Sequence, residues 1–162
     1  MIAVQVAQVG LDPATNSPVV LLREIDGDRL LPIMIGPAEA SAIAMELQGI
    51  RPPRPMTHDL VKRVILGFGG ELRRVLIGDL RNDTYFAELE LRRGDEVVQV
   101  DARPSDSIAV ALRLGAPIFL ADDLFERRGI TPGEGGAAPD GADILRTYLE
   151  NLDPQDLGRF TP

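Results

Sequence analysis

The chain has 162 residues, of which 44% are hydrophobic and 26% charged, and its formal net charge is −8. It contains no cysteine and one histidine, which excludes disulfides, thiolate catalysis, iron–sulfur clusters and zinc sites with several Cys or His ligands. Any metal would be a hard cation bound by carboxylates, such as Mg²⁺ or Mn²⁺, and the acidic balance disfavours broad, nonspecific binding to a polyanion.

The chain shows no pattern of a membrane protein. No apolar run approaches the ~20 residues that span a bilayer, and no segment resembles a signal peptide. The residues after Met1 alternate like a strand, so we expect a cytoplasmic protein with no membrane partner. A chain of this length is long enough for one domain with its own core.

The first half of the chain predicts three strands and two helices. The strands are expected over residues 2–9, 18–24 and 30–35. A helix is expected to begin at Gly36-Pro37, since proline suits the first turn, and a second to begin at Thr57. Five residues of the second helix are expected to face the core: Leu60, Val61, Val64, Ile65 and Phe68. The proline-rich segment 49–55 between the helices is expected to be a stiff loop.

The second half repeats this order. Strand patterns cover residues 71–79, 84–92 and 96–101, and the turn residues between them predict an antiparallel meander. A helix is expected to begin at Pro104 and to end at Gly115. A short strand over 118–120 and a one- or two-turn helix near Asp122–Arg127 follow.

These elements predict a mixed α+β fold with a mostly antiparallel sheet, built from two blocks of three strands and a helix. The compact domain is expected to cover residues 1–128, and the Gly/Pro-rich segment 129–143 to be a flexible linker. Residues 144–162 are expected to form a short amphipathic helix and an acidic tail. From residue 129 onwards the chain has six acidic residues and two arginines.

The run Asp101–Ser107 gathers two carboxylates, a guanidinium and two hydroxyls at the expected start of a helix. Unpaired N–H groups at a helix N-terminus favour anions. Ser105 and Asp106 are equally well explained as an N-cap and a first-turn acid. A cap requires neither Asp101 nor Arg103, so these two are the stronger functional candidates.

The segment Thr57-His58-Asp59 contains the single histidine. Thr57 is able to cap the helix and Asp59 to occupy its first turn. A neutral His58 imidazole could act as a general base or donate to a phosphate, and a structural or exposed histidine is the alternative. Glu39 has the same first-turn position in the Pro37 helix.

Convergence of these acids would make a metal site. If Glu39, Asp59, Asp101 and Asp106 met in space, they could bind one or two divalent cations for phosphodiester hydrolysis. Nucleic acid could contact a basic face, although a solvated surface explains the same residues: Arg51, Arg54, Lys62, Arg63, Arg73 and Arg74. There is no haem, Walker or other nucleotide-loop motif.

Three segments together resemble the bifunctional nuclease domain family of bacteria and plants. They are Leu31–Ala40, Arg54–Leu60 and Asp101–Ala109, which follow the family's order and spacing, and the resemblance covers about residues 1–128. It implies a compact mixed α/β domain that tends to self-associate, with nuclease activity on DNA and RNA. It also implies that the polar residues of these segments form the site.

The first hypothesis is therefore a metal-dependent nuclease. Its catalytic residues would be His58, Asp59, Asp101, Arg103 and Asp106. Mg²⁺ or Mn²⁺ would be held by Asp59, Asp101 and Asp106, with Glu39, and ligand contacts would come from Thr57, Ser105 and Arg54. A non-catalytic oligomeric module that binds a small anion or nucleotide at helix N-termini is the second hypothesis. The third is a structural protein whose polar clusters are caps and inter-subunit salt bridges.

Overall fold

The computed structural model describes residues 1–130, which contain seven strands and four helices. In chain order they are β1 (Ile2–Leu11), β2 (Pro18–Glu24), β3 (Leu30–Met34), α1 (Pro37–Leu47), α2 (Thr57–Gly67), β4 (Glu71–Arg81), β5 (Thr84–Arg93), β6 (Glu96–Ala102), α3 (Pro104–Leu114), β7 (Ile118–Leu120) and α4 (Asp122–Arg128). The expected linker from residue 131 onwards and the expected helix and tail over 144–162 lie outside the described residues, so the predicted domain limits stay predictions.

The seven strands form one sheet in the order β3-β2-β1-β7-β4-β5-β6. Neighbouring strands are antiparallel, except that β4 and β7 are parallel. The short strand β7 therefore joins two three-stranded meanders, each of which is followed by a helix, α1 or α3. The predicted α+β fold with its two strand–helix blocks is confirmed.

The core lies between this sheet and the helices. α3 contacts α1, α2, β4 and β5, and this central position explains why its apolar side chains are almost completely buried. The largest fully buried aliphatic side chains come from both blocks and from β7 and α4: Leu22, Leu31, Ile43, Ile77, Ile108, Leu120 and Leu124. None of the helices in residues 1–130 is long and apolar enough to cross a membrane.

The predicted core face of α2 is wrong at three positions. Leu60, Val64 and Phe68 are exposed, Ile65 is buried, and Val61 is partly buried. The reason is that α2 lies at the outer side of the helix layer and contacts α3 partly through polar groups. Lys62 Nζ, for example, donates to the Arg113 carbonyl at 2.8 Å.

The two outer edges of the sheet differ. The edge at β3 is covered by α4 and by Ile130, whose N–H and carbonyl exchange hydrogen bonds with Leu30 at 2.8 and 2.9 Å. The edge at β6 has no strand beside it among the described residues. β6 is exposed along its length, including Val97, Val98 and Val100.

Candidate functional site

The first turns of α2 and α3 meet through His58 and Asp106. The His58 Nε2 atom lies 2.9 Å from Asp106 Oδ1, although the two residues are 48 positions apart. His58 is 9% exposed, so its ring is largely enclosed by this contact. Two of the three segments that suggested a site are thus brought together.

Arg103 contacts the same aspartate from the other side. Its Nε donates to Asp106 Oδ2 at 2.8 Å, and an NH2 group donates to Glu39 Oε1 at 2.5 Å. The hydrogen bonds to Asp106 and Glu39 raise the pKa of Arg103, and its side chain remains 68% exposed. Arg103 is therefore a permanent surface cation that joins the starts of α1 and α3.

Asp106 is an ionised carboxylate that orients the imidazole. Burial raises the pKa of Asp106, but the hydrogen bonds from Arg103 and His58 outweigh it and hold the pKa below its usual range. Because an ionised carboxylate only accepts hydrogen bonds, the His58 Nε2 atom donates to Asp106, and in the neutral tautomer that makes this bond Nδ1 keeps its lone pair. No residue among 1–130 bonds to Nδ1, and no fully buried side-chain nitrogen in this range lacks a partner.

Asp59 belongs to a separate, inner ion pair. Its Oδ1 accepts a 2.6 Å hydrogen bond from Arg113 Nε, and its Oδ2 accepts the Met56 N–H at 2.9 Å. Burial raises the pKa of Asp59, and the bonds from Met56 and Arg113 outweigh burial, so the pKa lies below its usual range. The remaining Arg113 donors bond the carbonyls of Ala109 and Ala42.

Arg113 is the residue that sequence reasoning missed. Its side chain is only 4% exposed, and it joins α1, α2 and α3. The one available signal was an arginine between two leucines at the end of an apolar helix. That position is equally typical of a cation that complements the helix dipole.

The structure does not bring Asp101 to the Asp106 network, which consists of His58, Asp106, Arg103 and Glu39. Asp101 pairs with Glu88 across β5 and β6, while the neighbouring Ala87 and Leu89 are buried on the side of the helices. Because successive strand residues point to opposite faces, Asp101 faces away from the helix layer. Its side chain makes no hydrogen bond or ion pair within residues 1–130.

The expected caps are also different. The N-caps are Met56 and Arg103, so Thr57 is the first residue of α2 and Ser105 the second of α3. Thr57 is exposed, and so is Arg54 in the preceding loop. The Ser105 hydroxyl forms no cap bond, so capping does not explain it.

The predicted metal ligands are mostly engaged elsewhere. Glu39, Asp59 and Asp106 each accept a hydrogen bond from an arginine, and Asp101 lies on the other face of the sheet. Among the described residues, no three His, Asp or Glu side chains are grouped so as to hold a metal ion. In this conformation the donor set fits arginine and not a divalent cation.

A cleft of about 830 Å³ lies beside the network and shares Arg103 with it. One wall is the end of β3 with Gly36-Pro37, and a second is the start of α3, residues 103–105. A third consists of the β4–β5 turn with Tyr85 and Arg128. Residues of two of the three segments that suggested a site therefore line this cleft.

Most residues of the predicted basic face have partners within residues 1–130, but only two carboxylates offset its six positive charges. Arg51 pairs with Glu46, and Arg73 and Arg74 both pair with Glu90. Lys62 is bound to a carbonyl. Arg54 and Arg63 are exposed and have no partner within residues 1–130.

The chain is similar to proteins that share one domain. Residues 20–132 match the bifunctional nuclease domain. An uncharacterised protein of Mycobacterium tuberculosis is 41% identical over 161 residues, which cover 95% of this chain and 96% of that protein. Bifunctional nuclease 1 of Oryza sativa subsp. japonica is 30% identical over 152 residues, 89% of this chain and 45% of the plant protein. Bifunctional nuclease 2 of Arabidopsis thaliana is 33% identical over 108 residues, 65% of this chain and 33% of that protein.

Proposed function

Because the chain belongs to the bifunctional nuclease domain family, we propose that it hydrolyses phosphodiester bonds of RNA or DNA. The plant relatives named as bifunctional nucleases support this proposal, although this chain spans less than half of their length. The structural observation that supports it most is the pairing of His58 and Arg103 with the two oxygens of one carboxylate, Asp106.

In this proposal His58 is the general base. Asp106 fixes the ring with Nδ1 free, and Nδ1 accepts a proton from the water that attacks phosphorus. The P–O bond to the leaving sugar oxygen breaks, and that oxygen takes a proton from solvent. Arg103 uses two of its five N–H groups on Asp106 and Glu39, which leaves three for the negative charge that grows on the phosphate oxygens. Both groups bind one carboxylate, so they lie close enough to act on one substrate.

Two neighbouring ion pairs position His58 and Arg103. Glu39 holds the Arg103 guanidinium from α1, and the Asp59–Arg113 pair fixes α2, which bears His58, against α3. Thr57, Arg54 and Asp101 lie outside this arrangement, and their predicted roles have no part in the proposed steps. A requirement for Mg²⁺ or Mn²⁺ stays a prediction, since the donor set does not fit such an ion here.

The proposal is tested with the purified full chain and end-labelled single-stranded RNA and DNA. Cleavage is measured with Mg²⁺, with Mn²⁺ and with excess EDTA, for the wild type and His58→Ala. We expect the wild type to cleave and His58→Ala to be severely impaired, and the EDTA series decides the metal requirement. A wild type that cleaves neither substrate under any of these conditions contradicts the proposal.

A second candidate is the non-catalytic module that binds a small anion or nucleotide. The observation that favours it is the cleft, because the starts of α1 and α3 both line it. Binding of a mononucleotide by a protein without nuclease activity would support this candidate over the first.

We also propose that the chain self-associates through β6, the uncovered edge of the sheet. An exposed apolar edge strand is a ready template for another strand. An antiparallel pair of β6 strands centred on Gln99 sets Val98 opposite Val100 and keeps Glu96 and Asp101 of the two copies from facing each other. The acidic ends of the strand disfavour nucleic acid at this edge.

A further inference from the structure

Ser105 is a buried residue of the cleft whose hydroxyl the fold itself does not use. Ser105 is 6% exposed and lines the cleft. Its hydroxyl has no hydrogen-bond partner in residues 1–130, whereas the nearby Ser107 hydroxyl donates to the Arg103 carbonyl at 2.9 Å. Ser105 lines the cleft, and no fully buried side-chain oxygen in this part of the chain lacks a partner, which is consistent with a hydroxyl accessible from the cleft.

Two helix starts lie on the same cleft. α1 and α3 both begin with a proline, Pro37 and Pro104, and both prolines line the cleft. The first N–H groups after such a proline have no acceptor inside the helix and attract negatively charged oxygens. The Arg103–Glu39 ion pair holds these two helix starts together.

The charges around the cleft favour a ligand with one negative charge over a ligand with two. Arg103 and Arg128 line it, but Arg103 is bound by Glu39 and Asp106, and Arg128 is paired with Asp83. Three carboxylates thus oppose two guanidiniums. A terminal phosphate, which carries close to two charges at neutral pH, is disfavoured here relative to a singly charged phosphodiester.

Much of the remaining surface of the cleft is apolar, although Asn16, Ser17 and Thr84 also line it. It includes Ile33, Ile35, Leu80 and the ring of Tyr85, and Met34 is 56% exposed at this site. Such a surface suits a sugar or base next to the phosphate, because apolar and aromatic side chains pack against the faces of bases. A free inorganic anion would leave it uncovered.

We propose that this cleft binds one internal phosphodiester of a nucleic acid strand, with the Ser105 hydroxyl donating to a non-bridging phosphate oxygen. The neighbouring nucleoside packs against the apolar wall, and Arg103 links this subsite to the His58 network. The inference rests on the proposed nuclease function for its choice of ligand, but it concerns binding and not hydrolysis.

Binding is measured by calorimetry in excess EDTA with four probes. These are adenylyl-(3′→5′)-adenosine, its deoxy counterpart, adenosine 5′-monophosphate and inorganic phosphate. We expect the two dinucleotides, which contain a diester and no terminal phosphate, to bind more tightly than the monophosphate or phosphate. The ratio of the two dinucleotide affinities distinguishes RNA from DNA as the source of the strand.

The residue is tested by Ser105→Ala, which should weaken dinucleotide binding by roughly tenfold or more because a hydrogen bond to a charged oxygen is lost. Thr15→Ala removes an exposed hydroxyl outside the cleft and should bind as the wild type does. If Ser105→Ala does not fold, Arg128→Gln should still weaken binding several-fold. No dinucleotide binding, wild-type affinity in both variants, or preference for the monophosphate overturns the inference.

These outcomes separate the inference from the proposed function. A protein that cleaves RNA, and whose Ser105→Ala variant binds the dinucleotide normally, retains the nuclease proposal and loses the subsite. A protein that binds the dinucleotide through Ser105 and cleaves nothing retains the subsite and loses the nuclease proposal.

Discussion

Arg103 and Glu39 are 64 positions apart, yet their NH2 and Oε1 atoms are 2.5 Å from each other. Each residue lies at the start of the helix that completes one of the two strand–helix blocks, so this ion pair joins the blocks at equivalent points. Arg103 also binds Asp106. Substitutions in this ion pair therefore test whether it positions Arg103 for the proposed cleavage.

Arg103→Lys is expected to lower cleavage by about tenfold or more, since one ammonium cannot reproduce the fork that contacts both Asp106 and Glu39. The Arg103 side chain is largely exposed, so the free energy of unfolding should change by less than about 1 kcal/mol. Cleavage rates and thermal melts on the same preparations check this. The matched control is Arg23→Lys, since Arg23 is exposed and has no partner within residues 1–130. Equal activity in both variants would remove Arg103 from the mechanism.

Asp106→Asn is expected to lower the rate constant of cleavage by about 10²-fold or more. The amide has one oxygen instead of two equivalent ones, so it cannot hold the His58 ring and Arg103 together, and loss of an oriented base costs this much. Asp95→Asn, in the exposed turn between β5 and β6, is the matched control. The two variants are compared by single-turnover kinetics. An Asp106→Asn enzyme as fast as the control would argue against a role for the His58–Asp106 pair in cleavage.

The sequence predicted the elements better than the side-chain contacts, for a physical reason. Strand and helix periodicities are local, and Gly and Pro mark the turns, so the order of elements follows from the residues themselves. Which side of α2 is exposed depends on the helix that packs against it. The exposure of Leu60 and Phe68 could therefore not be predicted from the local sequence. Likewise, the pairing of His58 with Asp106 depends on how two helices dock.

The four acids predicted to converge do not form one cluster in residues 1–130, because Asp59 pairs with Arg113 and Asp101 lies on the other face of the sheet. The segment Asp101–Asp106 reads as one polar run, but the chain leaves β6 after Ala102 and begins α3 at Pro104. Asp101 therefore follows the alternation of the strand, while Asp106 follows the helix, and the two carboxylates point to different sides of the sheet. Whether the two carboxylates lie on one side of the sheet therefore depends on the residue at which β6 ends.

Arg113→Met is expected to destabilise the fold, because the buried Arg113 side chain joins α1, α2 and α3. The side chain is almost fully buried, so removal of the guanidinium takes from Asp59 its cationic partner and from the carbonyls of Ala42 and Ala109 the hydrogen bonds that Arg113 donates, which costs about 3 kcal/mol. For a chain of this size, that corresponds to a fall in melting temperature of roughly 6–12 °C. Arg93→Met, at an exposed ion pair, should shift the melting temperature by much less.

Acid should destabilise the protein through Asp59 and Asp106. Both carboxyls have a pKa below the ordinary aspartate value in the folded chain, so their stabilising contribution is complete above that value, about 3.9. It is lost as the pH falls through the lower folded pKa. Melting temperatures between pH 7 and pH 3 should therefore fall most steeply below about pH 4, and less steeply in Asp106→Asn. An equal acid slope in the variant and the wild type would show that Asp106 does not contribute.

Val98→Lys is expected to reduce self-association without unfolding the chain. Val98 is 53% exposed on β6, so a lysine is tolerated in the monomer, but in a pair of β6 strands its charge would lie against the valines of the partner copy. Light scattering after size exclusion, over a range of concentrations, measures the effect.

Ile25→Lys is the matched control for this surface, because Ile25 is equally exposed, at 53%, but lies in the turn between β2 and β3. We expect the wild type and Ile25→Lys to share one mass that exceeds that of Val98→Lys at the same concentration. A wild type that is monomeric at all concentrations, or three proteins of equal mass, would show that β6 is not the interface. Because neither Val98 nor Ile25 belongs to the proposed catalytic machinery, cleavage per chain should be the same in all three proteins.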